Sequence, residues 1–448
     1  MDNQSHRHGL FWEQLLPLVI GTSLLLSICT FLRLDSFPVG PGESLLALLG
    51  ILGLAISRKL QIWKHPLVLF WLVVLVTMGL GYLSGNHVGL YVDRTAMAYG
   101  FTGFVSIGML VLFQQLSNQA IRRSLFWLCV STAILLWLGF SVYISGNLEL
   151  LHALKMQDCG DTRYCGWSVN PNQLALFFIP LPVWVAALWR DVTKPTPIQI
   201  IGFGLLLFAL MLMGLLVRSD GLFVVWVFEF VVLLLLRLRW DMKVGRKSLF
   251  GYGLAMVVCV LLVKTFAHGE VRKSVVCASQ TLAQGINPWK AQCYDGQAFK
   301  DQEALRIGYS DPSEKVGIRQ DLWQNGLKTW LDAPVFGHGP GWFSWYTDPN
   351  APESIPTDPN QRWESHNLSI DFLTQGGIFL ALAWVALVIH LLLGAWKIRD
   401  SYSFSVVLMM AVFTFFHNTR QPYFWFVLMV ASEAIRRKLF VSDQTEPS

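Results

Sequence analysis

Arginines and two histidines recur at one kind of place in this chain, at or just before the start of an apolar stretch. Arg94 precedes a stretch at 97–116, Asn170-Pro171-Asn172 opens one at 173–189, and Arg218-Ser219-Asp220 opens one at 221–237. Ser365-His366-Asn367 opens another at 368–394, and His417-Asn418-Thr419-Arg420 opens the last at 421–440. If these stretches are helices, each such place is an N-terminus with unpaired N–H groups and a partial positive charge. Asn170, Asp220 and Ser365 or Asn367 are residue types that cap helices, and Pro171 suits a first helical position. Several N-termini and several guanidinium groups gathered on one face make an anion site, and a lipid-linked diphosphate presents its charge at that depth. A single arginine at such a level is more often an anchor, and a single histidine more often a cap. The combination is what points to chemistry. Arg218 has the strongest individual case, because its turn is only a few residues long and holds the charge close to the helices.

The same reasoning draws attention to the interval from His268 to His366, the one long polar segment in the chain. It is too long for a simple connection. Residues 269–316 are polar and weakly periodic. From Val316 onward, GIRQDLWQNGLKTWLDAP carries Ile318, Leu322, Leu327 and Leu331 with Trp323 and Trp330. That spacing predicts an amphipathic helix lying on the membrane or on the bundle, stopped before Pro334 and carrying Arg319. FGHGPGWF follows as a glycine-rich turn, and TDPN occurs twice in the Pro/Asp-rich loop beyond it.

The elements that must position these residues are membrane helices. Hydrophobic residues make up 54% of the chain and charged residues 14%, against about 25% charged in soluble domains. This implies an all-α polytopic membrane protein with about twelve spans. The other seven are expected near 15–32, 44–57, 66–83, 124–145, 198–217, 248–266 and 403–417. The start of the chain has no clear small-residue cleavage site, so the first span is expected to anchor it. Lys and Arg cluster at Arg58-Lys59-Lys64, Arg122-Arg123, Arg237 to Lys247, Lys397-Arg399 and Arg436-Arg437-Lys438, all on one side of the alternation. The opposite short loops hold isolated cations: Arg33, Arg94, Lys155, Arg163, Arg218 and Arg420. The positive-inside rule then puts both termini in the cytoplasm and the long loop outside. Three regions follow: spans at 1–266, an outer loop at 267–367, and spans with a tail at 368–448. Cys159 with Cys165, and Cys277 with Cys293, fall in outer loops and are candidate disulfides in an oxidising compartment.

Ionisable residues deep in the spans are few, namely Glu229, His390 and Glu433; Glu229 could serve a proton path or pair with a neighbouring helix. The sequence shows no P-loop, no GxGxxG before a helix, no HExxH and no zinc-spaced Cys/His set. It also lacks an Asp-x-Asp pair of the kind that holds a metal for sugar-diphosphate chemistry, and Asp301-Gln302-Glu303 is a weak substitute. No metal or other cofactor is expected, and arginine would have to stabilise a departing diphosphate.

NPNQLALF at the sixth span, VRSDG between the seventh and eighth, IRQDLW with DAPVFGHGPGWF in the large loop, and SHNLSIDFLTQGG at the tenth span occur in that order. Together, over roughly residues 165–395, they resemble the O-antigen ligase and O-antigen polymerase superfamily of bacterial inner-membrane glycosyltransferases, which also includes bacterial protein O-oligosaccharyltransferases. The resemblance implies a GT-C-like, metal-independent enzyme with a partly helical periplasmic loop. Arg218 and Arg319 would bind the undecaprenyl diphosphate of the donor, and His366 would help deprotonate the acceptor hydroxyl. Asn170, Asn172, Arg94, Arg420 and Asn367 are the further substrate-binding candidates. The family's His-Asn, spacer, Gly-x-x pattern is met at Gly377, but Leu380 stands where a ligase has Gly, Thr or Tyr.

The expectation is therefore transfer of a glycan from undecaprenyl diphosphate to an acceptor hydroxyl at the periplasmic face, with a lean toward a lipid A-core acceptor. A glycan acceptor (polymerase) or a protein acceptor (oligosaccharyltransferase) is the alternative within the superfamily. Outside it stand a twelve-span transporter or lipid flippase, and a non-catalytic assembly protein. Transporters usually show repeat-related halves and a midplane site, whereas here the polar groups concentrate at one surface. The expected partners are the lipid-linked donor, the acceptor and the bilayer, with no nucleic acid.

Overall fold

The computed structural model describes residues 11–29, 39–57, 62–84, 90–145, 148–154, 156, 166–168, 171–192, 195–217, 219–240, 246–266, 312–341, 365–415, 417 and 421–441. Over these residues the chain is helical, with no strand. After a π-helical turn at Phe11–Leu15 come α1 (Leu16–Ser27), α2 (Pro41–Ile56), α3 (Pro66–Ser84), α4 (Leu90–Gln115), α5 (Asn118–Ser145) and the short α6 (Leu148–Ala153). Then follow α7 (Pro171–Phe178), α8 (Leu181–Arg190), α9 (Pro197–Leu216), α10 (Asp220–Arg239), α11 (Arg246–Phe266) and α12 (Pro312–Asp332). The chain closes with α13 (Leu368–Lys397), α14 (Ser401–Thr414) and α15 (Pro422–Arg437).

Each expected span falls on a helix. Among the described residues, six helical stretches are long and apolar enough to cross a membrane: Pro66–Ser84, Thr95–Gln115, Asn118–Val142, Asn172–Arg190, Pro197–Leu216 and Leu368–Lys397. Four more are apolar but shorter: Trp12–Ser27, Pro41–Ile56, Lys247–Leu262 and Ser401–Thr414. The stretch at 173–189 is broken into α7 and α8 at Ile179-Pro180, because a proline cannot donate the helical hydrogen bond and crowds the preceding turn.

The chain divides into two compact units. One comprises Met1–Leu46 with Leu116–Gly308. Here α1 lies along α5, and α9 packs on α5, α8 and α11. Thr196 caps α9 in a reciprocal arrangement with Gln199, as expected where Thr precedes a Pro and a Gln three positions on. Glu229, expected either to relay protons or to pair across helices, is fully buried in α10 and accepts a hydrogen bond from the Tyr252 hydroxyl of α11 at 2.9 Å.

The other unit comprises Ala47–Gln115 with Tyr309–Ser448. Its core is aromatic: Phe70 and Trp71 of α3, Phe372 and Trp384 of α13, and Phe424 and Trp425 of α15 pack with ring centroids 4.9 to 6.3 Å apart. Between apolar helices in lipid, such packing contributes what the hydrophobic effect supplies in water. Near the end of α15, buried Glu433 accepts from Arg436 at 2.7 Å and from Arg437 at 3.1 Å, and Arg437 also donates to the Phe113 carbonyl of α4. His65, just ahead of α3, accepts from the Leu67 N–H at Nδ1 and meets Ser432 Oγ through Nε2 at 3.1 Å.

Candidate functional site

The start of α13 is built around a left-handed bend. Asn367 caps the helix by accepting from the N–H groups of Ser369 and Ile370. Immediately before it, His366 is half-buried and sits at φ +51, a region that residues with a Cβ adopt sparingly. Both neighbours of that bend are held. The Ser365 carbonyl accepts from the Trp323 indole N–H of α12 at 3.0 Å. The Ser365 hydroxyl lies 2.8 Å from both the Asn367 carbonyl and Asp371 Oδ1, either of which can receive its hydrogen, and it accepts from the Asn367 N–H at 3.2 Å. Ser365 and Asp371 are both fully buried.

Helix α12 is thereby brought to the start of α13. Arg319 stands in α12, one helical turn before Trp323. The buried face of α12 is Leu322, Asn325, Gly326 and Thr329. Leu327 and Leu331, which the periodicity assigned to the apolar stripe, are 41% and 65% exposed instead. The packed face of α12 is half polar, and on α13 Asp371, Thr374 and Gln375 are all fully buried.

Beyond α12 the glycine-rich segment inserts into a break in α13. Gly377 adopts φ +69, ψ −167, a conformation essentially reserved for glycine. The break frees the carbonyls of Thr374 and Gln375, which accept from the N–H groups of His338 (2.8 Å) and Gly339 (3.0 Å). The Ile378 N–H donates back to the Pro334 carbonyl at 2.9 Å, and the Gly341 N–H donates to Gln375 Oε1 at 2.9 Å. Backbone groups released inside an apolar bundle must find such partners. The approach is close enough that a Cβ on Gly337 would lie 2.6 Å from the Gln375 carbonyl carbon, and one on Gly377 would overlap the Val335 carbonyl. His338 Nε2 is 2.8 Å from the Thr329 carbonyl, tying the segment to α12.

In the other unit, Asn172 is the second residue of α7, and its Oδ1 is 3.5 Å from the hydroxyl of Ser219, which occupies the N-cap position of α10 without a side-chain cap bond. The N-cap is thus Ser219 and not Asp220, and at α13 it is Asn367 and not Ser365. Arg94 lies inside α4, which begins at Leu90; the expectation that it precedes its helix is corrected by the additional helical turn. Asn170, Arg218 and Arg420 lie outside the described residues, as do Cys159, Cys165, Cys277 and Cys293. Sequence reasoning missed Trp323, Asp371 and Gln375. Asp371 carried a usable signal, a carboxylate inside an apolar stretch, whereas Trp323 read only as part of a stripe.

The fold is that of a multi-pass helical membrane protein. Residues 203–385 match the family model described as O-antigen ligase, which supports the likeness of this stretch to the O-antigen ligase/polymerase superfamily. The match spans α9 to the first half of α13 and so includes Arg218, Arg319 and His366. No curated protein matches the chain.

Proposed function

We propose that this protein transfers a glycan from undecaprenyl diphosphate to an acceptor hydroxyl at the periplasmic face of the inner membrane, with lipid A-core as the favoured acceptor. The observation that carries the reading is the Trp323–Ser365 hydrogen bond, which joins the helix bearing Arg319 to the bend bearing His366. In this reading all twelve expected spans cross the membrane, both termini are cytoplasmic, and 267–367 forms the outer loop.

The imidazole of His366 accepts the proton of the acceptor hydroxyl. The acceptor oxygen then bonds to the anomeric carbon as that carbon's bond to the diphosphate breaks, and the electron pair leaves with undecaprenyl diphosphate. Arg319 and Arg218, permanently charged and shaped to bind phosphate oxygens in pairs, stabilise that charge without a metal. Arg94, Asn170, Asn172, Asn367 and Arg420 line the donor and acceptor path. Cys159–Cys165 and Cys277–Cys293 are the proposed disulfides.

The test is mass analysis of lipopolysaccharide, lipid-linked glycan and glycoproteins from cells lacking this chain. Loss of long chains with accumulation of lipid-linked polymer supports a ligase. Single-repeat products identify a polymerase, and unmodified protein an oligosaccharyltransferase. Complementation with Arg319→Ala or His366→Ala should fail with the protein present in the membrane, each lowering transfer by about a hundredfold or more. Full complementation by both would refute the reading. Transfer by purified protein without any ion gradient separates it from a transporter or flippase.

A further inference from the structure

Nothing in the chemistry proposed for His366 accounts for the carboxyl group beneath it. Asp371 is the fourth residue of α13, fully buried, with Oδ1 against the Ser365 hydroxyl at 2.8 Å. The helix start does not require it, since Asn367 already caps Ser369 and Ile370. A carboxyl group held out of water is costly unless it is hydrogen-bonded, so a polar residue at this depth needs a reason. The geometry supplies one. Ser365 and Asn367 flank His366, and the Ser365 hydroxyl touches Asp371 on one side and both the N–H and the carbonyl of Asn367 on the other. The Asp371 N–H donates to that same Asn367 carbonyl at 3.0 Å. The two residues that bracket the left-handed His366 are therefore pinned to a single point on α13, and the Trp323 indole pins Ser365 from the α12 side.

We propose that Asp371, acting through the Ser365 hydroxyl, is a positioning residue for His366: the pair holds the left-handed bend that fixes where the imidazole sits. The inference rests on the proposed role of His366 and deepens it. It predicts that loosening the latch misplaces the base without touching donor binding.

The experiment uses the purified full-length protein in lipid nanodiscs, with an undecaprenyl-diphosphate-linked glycan as donor and lipid A-core as acceptor, or the acceptor class that the deletion phenotype identifies. Ser365→Ala should lower kcat about 10- to 100-fold, the scale of an ångström-sized misplacement, with KM for the donor changed less than about twofold. Asp371→Ala should behave likewise, and Asp371→Asn, which keeps an acceptor oxygen, should recover most of the rate. The deciding measurement repeats Ser365→Ala in a His366→Gln background. A latch that works through the imidazole has nothing left to position there, so the second substitution should cost no further activity. The same fold-loss in both backgrounds, or no loss in either, overturns the proposal while leaving the role of His366 intact. An unchanged kcat in His366→Gln alone overturns that role and the latch with it. Should His366→Gln fall below detection, acylation of each histidine by diethyl pyrocarbonate, read by peptide mass, takes its place. Ser365→Ala should change the rate at His366 and leave the other histidines alone; an unchanged His366 rate refutes the latch. If Ser365→Ala does not fold, Asp371→Ala enters the same two comparisons.

Discussion

Replacing Gly377 by alanine should detach the glycine-rich segment from α13. At φ +69 and ψ −167 a residue with a Cβ bears a backbone cost of about 1–3 kcal/mol. The added methyl would also overlap the Val335 carbonyl, which can yield only by moving the segment. That movement strains four hydrogen bonds: His338 to Thr374, Gly339 to Gln375, Ile378 to Pro334 and Gly341 to Gln375. Each contributes about 0.5–1.5 kcal/mol net, so losing two of them brings the total to roughly 2–6 kcal/mol. Two neighbours provide a scale. Gly81 has ordinary helical φ, and a Cβ there would lie 2.6 Å from the Phe336 carbonyl, so Gly81→Ala meets the steric cost alone. Gly79 has nothing within 4 Å, and Gly79→Ala should be neutral or gain up to about 1 kcal/mol of helix propensity. Thermal unfolding in detergent, followed by loss of the monodisperse peak, should rank the three variants 377 below 81 below 79, with Gly377→Ala lower by several degrees. Limited proteolysis should cut 333–341 in that variant before any other described segment. If Gly377→Ala is as stable as Gly79→Ala, the insertion does not hold α13 as argued.

Three further outcomes follow from individual contacts. Trp323→Phe removes the indole donor and leaves the buried Ser365 carbonyl without it, a loss of about 1–3 kcal/mol that should appear as faster amide exchange in α12. Asp400→Ala removes the carboxylate that accepts from the N–H groups of Tyr402 and Ser403 and from the Ser403 hydroxyl, and should lower stability by about 1–2 kcal/mol in the same unfolding assay. Burial pushes the His65 imidazole down to about 4; Glu433, 3.7 Å away, pulls it up, but Arg436 and His390 add to the downward push. Because the folded value lies below the unfolded one near 6.5, neutral His65 supports the fold above that pH. The support is lost as pH falls from 6.5 toward 4, up to about 3 kcal/mol in all. Unfolding measured from pH 7 to pH 4.5 should show this slope in the parent and a shallower one in His65→Gln; equal slopes would refute it.

Periodicity and apolar length were enough to find the helices, because lipid-spanning segments leave a long, contiguous imprint on composition. The breaks were harder. Pro180 interrupts the stretch at 173–189 by a local rule that a sequence reader can apply, yet a single proline in an apolar run is often tolerated in membrane helices. Gly377 carried even less information, since its backbone conformation is imposed by a segment some forty residues earlier in the chain. The candidate site divides in the same way. The cap at Asn367 was legible because capping chemistry is local, and the helix that carries Arg319 because of its periodicity. Trp323, Ser365 and Asp371 act through contacts between α12 and α13, and no spacing rule within one helix reveals them. The two exposed leucines of α12 show the cost of reading a stripe without its partner: the buried face includes Asn325 and Thr329, which the apolar periodicity does not assign to it.

The break at Gly377 also resolves an oddity in the sequence of α13. As one helix, Leu368–Lys397 would place Asp371, Thr374 and Gln375 inside an apolar span of thirty residues, longer than a bilayer core requires and burdened with a carboxyl group. Counted from the break, Ile378–Lys397 is a helix of about twenty residues, or about 30 Å, which matches the hydrocarbon thickness without help from the segment before it. The polar residues then fall in the part of α13 that crossing does not need, where α12 and the glycine-rich segment can supply their partners. A helix interrupted at this point can serve two ends. Its second half is long enough to span, and its first half packs with α12 and the glycine-rich segment, with Asp371 one turn behind the bend at His366.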